Sequence, residues 1–152
     1  RNADAAMYYA KASGRNNYQF YYNALNEKAT DNIKLESNLR YALDKNEFVL
    51  HYQPQIALGT KCITGFEALL RWQHPTLGLL TPDKFLDVAI ETGLIRPIRR
   101  WVLSEACNKI ARVNKSSKHA VRIAVNLSTH QIMFGDIAAD IKAVLAETGI
   151  KL

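Results

Sequence analysis

The stretch Gly65-Phe66-Glu67-Ala68-Leu69-Leu70-Arg71-Trp72 decides the fold, because it reads as a buried strand with one apolar face and one charged face. Side chains alternate along a strand, which places Phe66, Ala68, Leu70 and Trp72 on one side and Glu67, Leu69 and Arg71 on the other. The charged face separates a carboxylate from a guanidinium by roughly 13 Å, at ~3.3 Å per residue. A carboxylate suits a hard metal ion and a planar guanidinium suits a phosphate, so this face can receive a metal-assisted phosphate ester. From spacing alone, a structural ion pair is the commoner meaning of such residues in a core strand.

Outward from this strand, Phe48 to Ile56 reads as a second strand rich in β-branched and aromatic residues, with Gly59 in the adjoining turn. The connection to a strand over Cys62 to Trp72 is short, which predicts an antiparallel pair. Thr81-Pro82-Asp83 predicts a helix start, with Thr81 as N-cap, proline in the first turn and Asp83 against the dipole; Gly93 closes that helix. A longer helix is expected from Pro97 to Val113, a strand from Ala120 to Leu127, and a last helix from Asp136 to Glu147. In the Ala120–Leu127 strand, Ile123, Val125 and Leu127 share one face and Ala124, Asn126 and Ser128 the other, so Asn126 points inward near the C-terminal end. An inward asparagine ordinarily satisfies backbone groups, and its amide oxygen can equally bind a hard cation. Strands alternating with helices predict an α/β fold with a largely parallel sheet.

Upstream, residues 1–22 read as a short helix, a turn at Ser13-Gly14 and a strand through Tyr18, Phe20 and Tyr22. Residues 23–44 form a moderately amphipathic helix, of the kind that joins two domains or packs on a second copy, with Asn46 where it should stop.

Of the 152 residues, 48% are hydrophobic and 22% charged, which is the composition of a soluble globular protein. The net charge of +6 is dispersed. Its tightest cluster, Arg96, Arg99 and Arg100, reads as the solvated face of an amphipathic helix. With no helix-turn-helix, zinc-finger or basic-zipper pattern, no nucleic-acid polymer is expected as a partner. No apolar run reaches the length of a membrane span and no signal peptide opens the chain, which predicts a cytoplasmic protein without membrane contact in this stretch. The start at Arg1 suggests a piece of a longer polypeptide, in which any targeting, sensory or membrane-anchoring segment would lie upstream. Cys62 and Cys107 are isolated and read as reduced thiols, and His51, His74, His119 and His130 form no metal motif.

The opening stretch and its surroundings resemble the EAL family, the bacterial cyclic di-GMP phosphodiesterases. Tyr52-Gln53-Pro54, Arg71-Trp72 with His74-Pro75, Glu91-Thr92-Gly93-Leu94-Ile95 and Val125-Asn126-Leu127-Ser128 all come in that family's order and approximate spacing. The resemblance implies the N-terminal part of a (β/α) TIM-like barrel with an antiparallel first strand, over residues 45–152, after a linker helix at 23–44. Residues 1–22, with Ala3-Asp4-Ala5-Ala6-Met7-Tyr8-Tyr9-Ala10-Lys11 and Gly14-Arg15-Asn16, resemble the closing segment of the GGDEF family, the diguanylate cyclases.

Residue by residue, the resemblance implies that Glu67 and Asn126 bind Mg²⁺ or Mn²⁺, that Arg71 anchors a phosphate of cyclic di-GMP, that Gln53 meets a guanine edge and that Leu69 supports the ligand. Lys11 and Arg15 match cyclase residues that touch triphosphate oxygens. The implied reaction is hydrolysis of cyclic di-GMP to pGpG. Two departures, Asp87 and Ile90, stand where many relatives have proline and an acidic residue. The remaining acidic and water-orienting groups are expected beyond Leu152, so this stretch alone is expected to be inactive and marginally folded. Two alternatives remain: a receptor that binds cyclic di-GMP without turnover, and a regulatory module that forms a homodimer through the 23–44 helix.

Overall fold

Local sequence explains most of the elements in this computed structural model, which describes residues 23–117, 119–134 and 136–150 together with 3, 7, 10 and 11. The chain divides into two units, Arg1–Tyr41 and Ala42–Leu152. In the first, residues 3, 7, 10 and 11 are helical, and α1 spans Asn23–Ala42, running into the start of the second unit. Leu35 and Leu39, one helical turn apart, are buried, whereas Ile33 and Tyr41 are exposed. The Ser13-Gly14 turn, Arg15 and the strand through Tyr18, Phe20 and Tyr22 lie outside the described residues.

The second unit holds β1 (Phe48–Ile56), β2 (Ile63–His74), β3 (Gly78–Leu80), a 3₁₀ turn (Pro82–Lys84), α2 (Leu86–Glu91), α3 (Ile95–Ser116), β4 (Arg122–Val125), α4 (Thr129–Phe134) and α5 (Ile137–Thr148). Strand β2 is the hub. It pairs antiparallel with β1 along most of its length, antiparallel with β3 at Trp72–His74, and parallel with β4 at Gly65–Ala68. The expected β1–β2 hairpin is present. The sheet is mixed rather than largely parallel over the described residues, because short connections close β1–β2–β3 and only the long excursion through α2 and α3 permits a parallel return. Gly65 is required where β4 joins: a Cβ there would stand 3.0 Å from the Arg122 carbonyl oxygen.

The apolar face of β2 is buried as its alternation predicts. Ala68 and Trp72 are 3% and 0% exposed, and the Trp72 ring meets Phe48 and Phe85 at centroid distances of 6.0 and 5.5 Å. Trp101 of α3 joins at 5.9 Å from Phe48, and the Trp72 indole N–H donates to Glu47 Oε2 at 2.9 Å. Helix α3 contributes Ile95, Ile98, Val102, Ala106 and Ile110, which recur at helical spacing and form its buried stripe. Asn114, near the end of α3, clamps the entry to β4 by donating to the Val121 carbonyl at 3.0 Å and accepting from its N–H at 2.9 Å.

Three local expectations are corrected. Thr81 occupies the predicted start, but its hydroxyl donates to the Asp83 carboxylate and caps no backbone N–H; a 3₁₀ turn precedes the true helix at Leu86. Neither β3 nor α4 was expected, since three and six residues are too few to show a period. Arg99 does not belong to a solvated face. It is 4% exposed and pairs through Nε and Nη2 with Asp140 of α5, while Arg100 pairs with Glu147 at 2.8 Å on the outside. A second layer, α5 against α3, buries a flank of α3 that its own sequence leaves looking polar.

Candidate functional site

Pairing register assembles the charged face. Gln53 lies opposite Glu67, His51 opposite Leu69 and Val49 opposite Arg71, while Glu67 lies beside Ala124 of β4. Residues paired across a ladder share a face, and Asn126 comes two positions after Ala124, so Gln53, Glu67, Leu69, Arg71 and Asn126 all belong to the face opposite the Trp72 core. Gln53 and Asn126 are exposed; Glu67, Leu69 and Arg71 are half-buried.

The central contact joins two strands far apart in sequence. Asn126 Nδ2 donates to Glu67 Oε1 at 2.7 Å. Asn126 itself is exposed and stands just past the end of β4 rather than within the strand as expected, because the ladder with β2 stops at the Ala68–Val125 pair. Arg71 Nη1 donates to the Leu70 carbonyl at 2.7 Å, and among the described residues no ion pair joins it to Glu67. The structural ion pair that spacing alone would favour is therefore not what this strand builds. Lys11 is helical and exposed in the first unit, and Arg15 lies outside the described residues.

Among the described residues no cluster of three or more His, Cys, Asp or Glu side chains could hold a metal ion. The Glu67–Asn126 pair instead offers a carboxylate and a side-chain amide, both sources of the hard oxygen donors that Mg²⁺ and Mn²⁺ prefer, and so fits part of such a coordination shell. An adjoining cavity of about 260 Å³, shared with Leu69, Arg71 and Asn126 of the site, opens where Leu70 and Leu127 meet Leu86 and Ile98. Its walls are mainly apolar and do not include Glu67, so it is no metal site. On the core side, burial and then the nearby Glu105 carboxylate push the Tyr52 hydroxyl up from its usual range, with Arg112 opposing; burial likewise raises the Cys107 thiol.

Sequence reasoning missed two polar features beside this site. One is the buried Arg99–Asp140 pair, for which a helical pattern alone holds no signal. The other was legible: Ser128-x-x-Gln131 is a capping box. The Gln131 N–H donates to Ser128 Oγ at 3.3 Å, and the Ser128 N–H and hydroxyl donate to Gln131 Oε1 at 2.8 and 3.1 Å. Gln131 is 7% exposed.

Residues 36–151 match the family described as the EAL domain. The chain is 45% identical over 145 residues to the bifunctional diguanylate cyclase/cyclic di-GMP phosphodiesterase MucR of Pseudomonas aeruginosa, covering 95% of this chain and 21% of that protein. It is 36% identical over 150 residues to the cyclic di-GMP phosphodiesterase NbdA of the same organism, covering 99% and 19%. Among solved structures, the PaMucR phosphodiesterase in its c-di-GMP complex superposes with a TM-score of 0.73 at 39% identity, over 77% of this chain and 47% of that one. The chain thus spans about a fifth of the length of the curated relatives it matches, and its mixed sheet with flanking helices fits part of a TIM barrel. Because the match covers most of the sequence and takes in the strand that carries Glu67 and Arg71, this protein belongs to the EAL domain family.

Proposed function

We propose that the protein is part of a bacterial signalling phosphodiesterase that hydrolyses cyclic di-GMP to pGpG with Mg²⁺ or Mn²⁺. The observation that carries this reading is the 2.7 Å contact between Glu67 and Asn126, from β2 and the end of β4, on the same sheet face as Gln53, Leu69 and Arg71. Glu67 and Asn126 would hold the cation, which when bound polarises a phosphoryl oxygen and lowers the pKa of water. Arg71 offers its planar fork to a phosphate, Gln53 presents both donor and acceptor to a guanine edge, and Leu69 lies between them as apolar support. Being half-buried, Glu67 and Arg71 act on the ligand in a partly desolvated setting, where charge-assisted contacts are stronger than in water.

The N-terminal residues 1–22, with Lys11 and Arg15, are then the end of a diguanylate cyclase domain, and 23–44 links it to the phosphodiesterase. That a relative whose name carries both activities aligns over 95% of this chain supports this organisation. A cytoplasmic location follows from a nucleotide substrate, and the 23–44 helix is the candidate contact for a second copy; among the described residues no helix is long and apolar enough to cross a membrane.

The test uses the protein that carries this sequence at its full length. With Mg²⁺ present, pGpG is expected from the unaltered protein and none above background from Glu67→Gln, whose amide keeps the shape but not the charge. With Ca²⁺ replacing the catalytic ion, Arg71→Ala is expected to bind cyclic di-GMP about ten- to a hundredfold more weakly, the worth of one charge-assisted contact at roughly 1.5–3 kcal/mol. Binding without turnover in the unaltered protein would make it a receptor. Full activity of Glu67→Gln together with unchanged binding by Arg71→Ala would remove the site from this strand.

A further inference from the structure

We propose that Gln131 is a positioning residue for Asn126, holding the end of β4 so that the asparagine side chain meets Glu67. The proposal deepens the metal-binding reading above and rests on it for its consequence, though not for its geometry. Strand β4 is only four residues long and its ladder with β2 ends at Val125, so among the described residues no sheet pairing reaches residues 126–128. The capping box takes over there: Ser128 and Gln131 exchange three hydrogen bonds at 2.8, 3.1 and 3.3 Å, and the Ile132 N–H closes the first helical turn on the Ser128 carbonyl at 3.2 Å. Gln131 is buried, unlike an ordinary surface cap, so its amide has few alternatives to Ser128. Together with the Asn114 clamp at the strand's other end, the box confines the backbone on both sides of β4. Asn126 sits two residues before the boxed serine. A shift of the Ser128 backbone therefore moves the Asn126 side chain directly.

The helix start at Asp136 supplies an internal control. Asp136 caps α5 by accepting from the Ala139 N–H at 3.0 Å, a comparable cap on another helix and not adjoining Asn126. Loss of either cap weakens a helix, but only loss of the Ser128–Gln131 box bears on the Glu67–Asn126 contact.

The experiment monitors the Asn126 side-chain amide by NMR in the ¹⁵N-labelled full-length protein that carries this sequence, and then titrates Mn²⁺ alone as the metal probe. In Gln131→Ala the Asn126 amide protons are expected to move toward the positions of a free asparagine, and Mn²⁺ binding to weaken about tenfold, the ordinary cost of losing a residue that orients a ligand. Gln131→Glu, which can accept the same Ser128 N–H, is expected to restore both, and Asp136→Ala to change neither. An unmoved Asn126 signal in Gln131→Ala, failure of Gln131→Glu to restore it, or an equal shift in Asp136→Ala would overturn the proposal. Should Gln131→Ala lose its dispersed spectrum, Ser128→Ala, which deletes only the hydroxyl side of the box, is judged by the same signal. If Mn²⁺ leaves the Glu67 and Asn126 signals of the unaltered full-length protein untouched, the metal reading fails, while the amide shift still decides the positioning role.

Discussion

The two faces of β2 along Gly65–Trp72 are built from the same eight residues, yet they are stabilised in opposite ways. Toward α3, Ala68 and Trp72 are sealed in an aromatic and aliphatic layer where Phe48, His74 and Phe85 meet the indole and Trp101 packs on Phe48. On the other face, Glu67, Leu69 and Arg71 stay half-buried, and the polar groups meet through one hydrogen bond from Asn126 and one to the Leu70 carbonyl. The core face holds the strand; the open face leaves its polar atoms partly exposed. A substitution should therefore be read first by the face it falls on.

The comparison is broken most severely at Trp72. Trp72→Ala removes the most buried side chain of the strand and is expected to cost about 3–5 kcal/mol, read as a large fall in the urea midpoint or failure to fold. Next comes the seam between α3 and α5. Asp140→Ala leaves the Arg99 guanidinium buried and unpaired, at about 3–5 kcal/mol, whereas the apolar double variant Arg99→Met/Asp140→Leu should recover much of that loss. A double variant as unstable as the single one would show that packing at this seam, not the unpaired charge, sets the cost.

On the open face the stability effect should nearly vanish. Glu67→Gln keeps an oxygen to accept from Asn126 and lies outside the core, so its urea midpoint should match the unaltered chain within about 0.5 kcal/mol, however large its effect on turnover. A drop comparable with that of Trp72→Ala would mean that Glu67 is part of the framework.

The smallest effect is alkaline and belongs to the core face. Burial raises the Tyr52 pKa in the folded chain above its ordinary value of 10.0, so the proton is bound more tightly when folded. Its contribution is fully present below pH 10 and is lost as pH rises through the raised value. Tyr52→Phe keeps the ring and should flatten that part of the stability profile above pH 10; an unchanged slope would assign the loss to other groups.

Much of this was legible from local pattern. The period-two alternation from Phe66 to Trp72 was enough to separate the buried face from the open one, since a strand's side chains have only two directions to take. Phe48–Ile56 was likewise readable, as was its antiparallel pairing, because a short turn allows little else. Thr81 was misjudged for a local reason: its hydroxyl found the Asp83 carboxylate before it found a backbone N–H.

What only the tertiary structure decided involves contacts that no local pattern encodes. Glu67 and Asn126 are 59 residues apart, and their meeting depends on the register set when β4 returns parallel to β2 after two helices. Arg99 reads as solvated because helical periodicity reports one buried stripe, whereas α3 has both a sheet and α5 against it. The sequence alone determined which side chains share a face of an element, because backbone geometry makes that a short-range property. Which faces meet, and which charge is thereby buried, was settled only when distant elements packed.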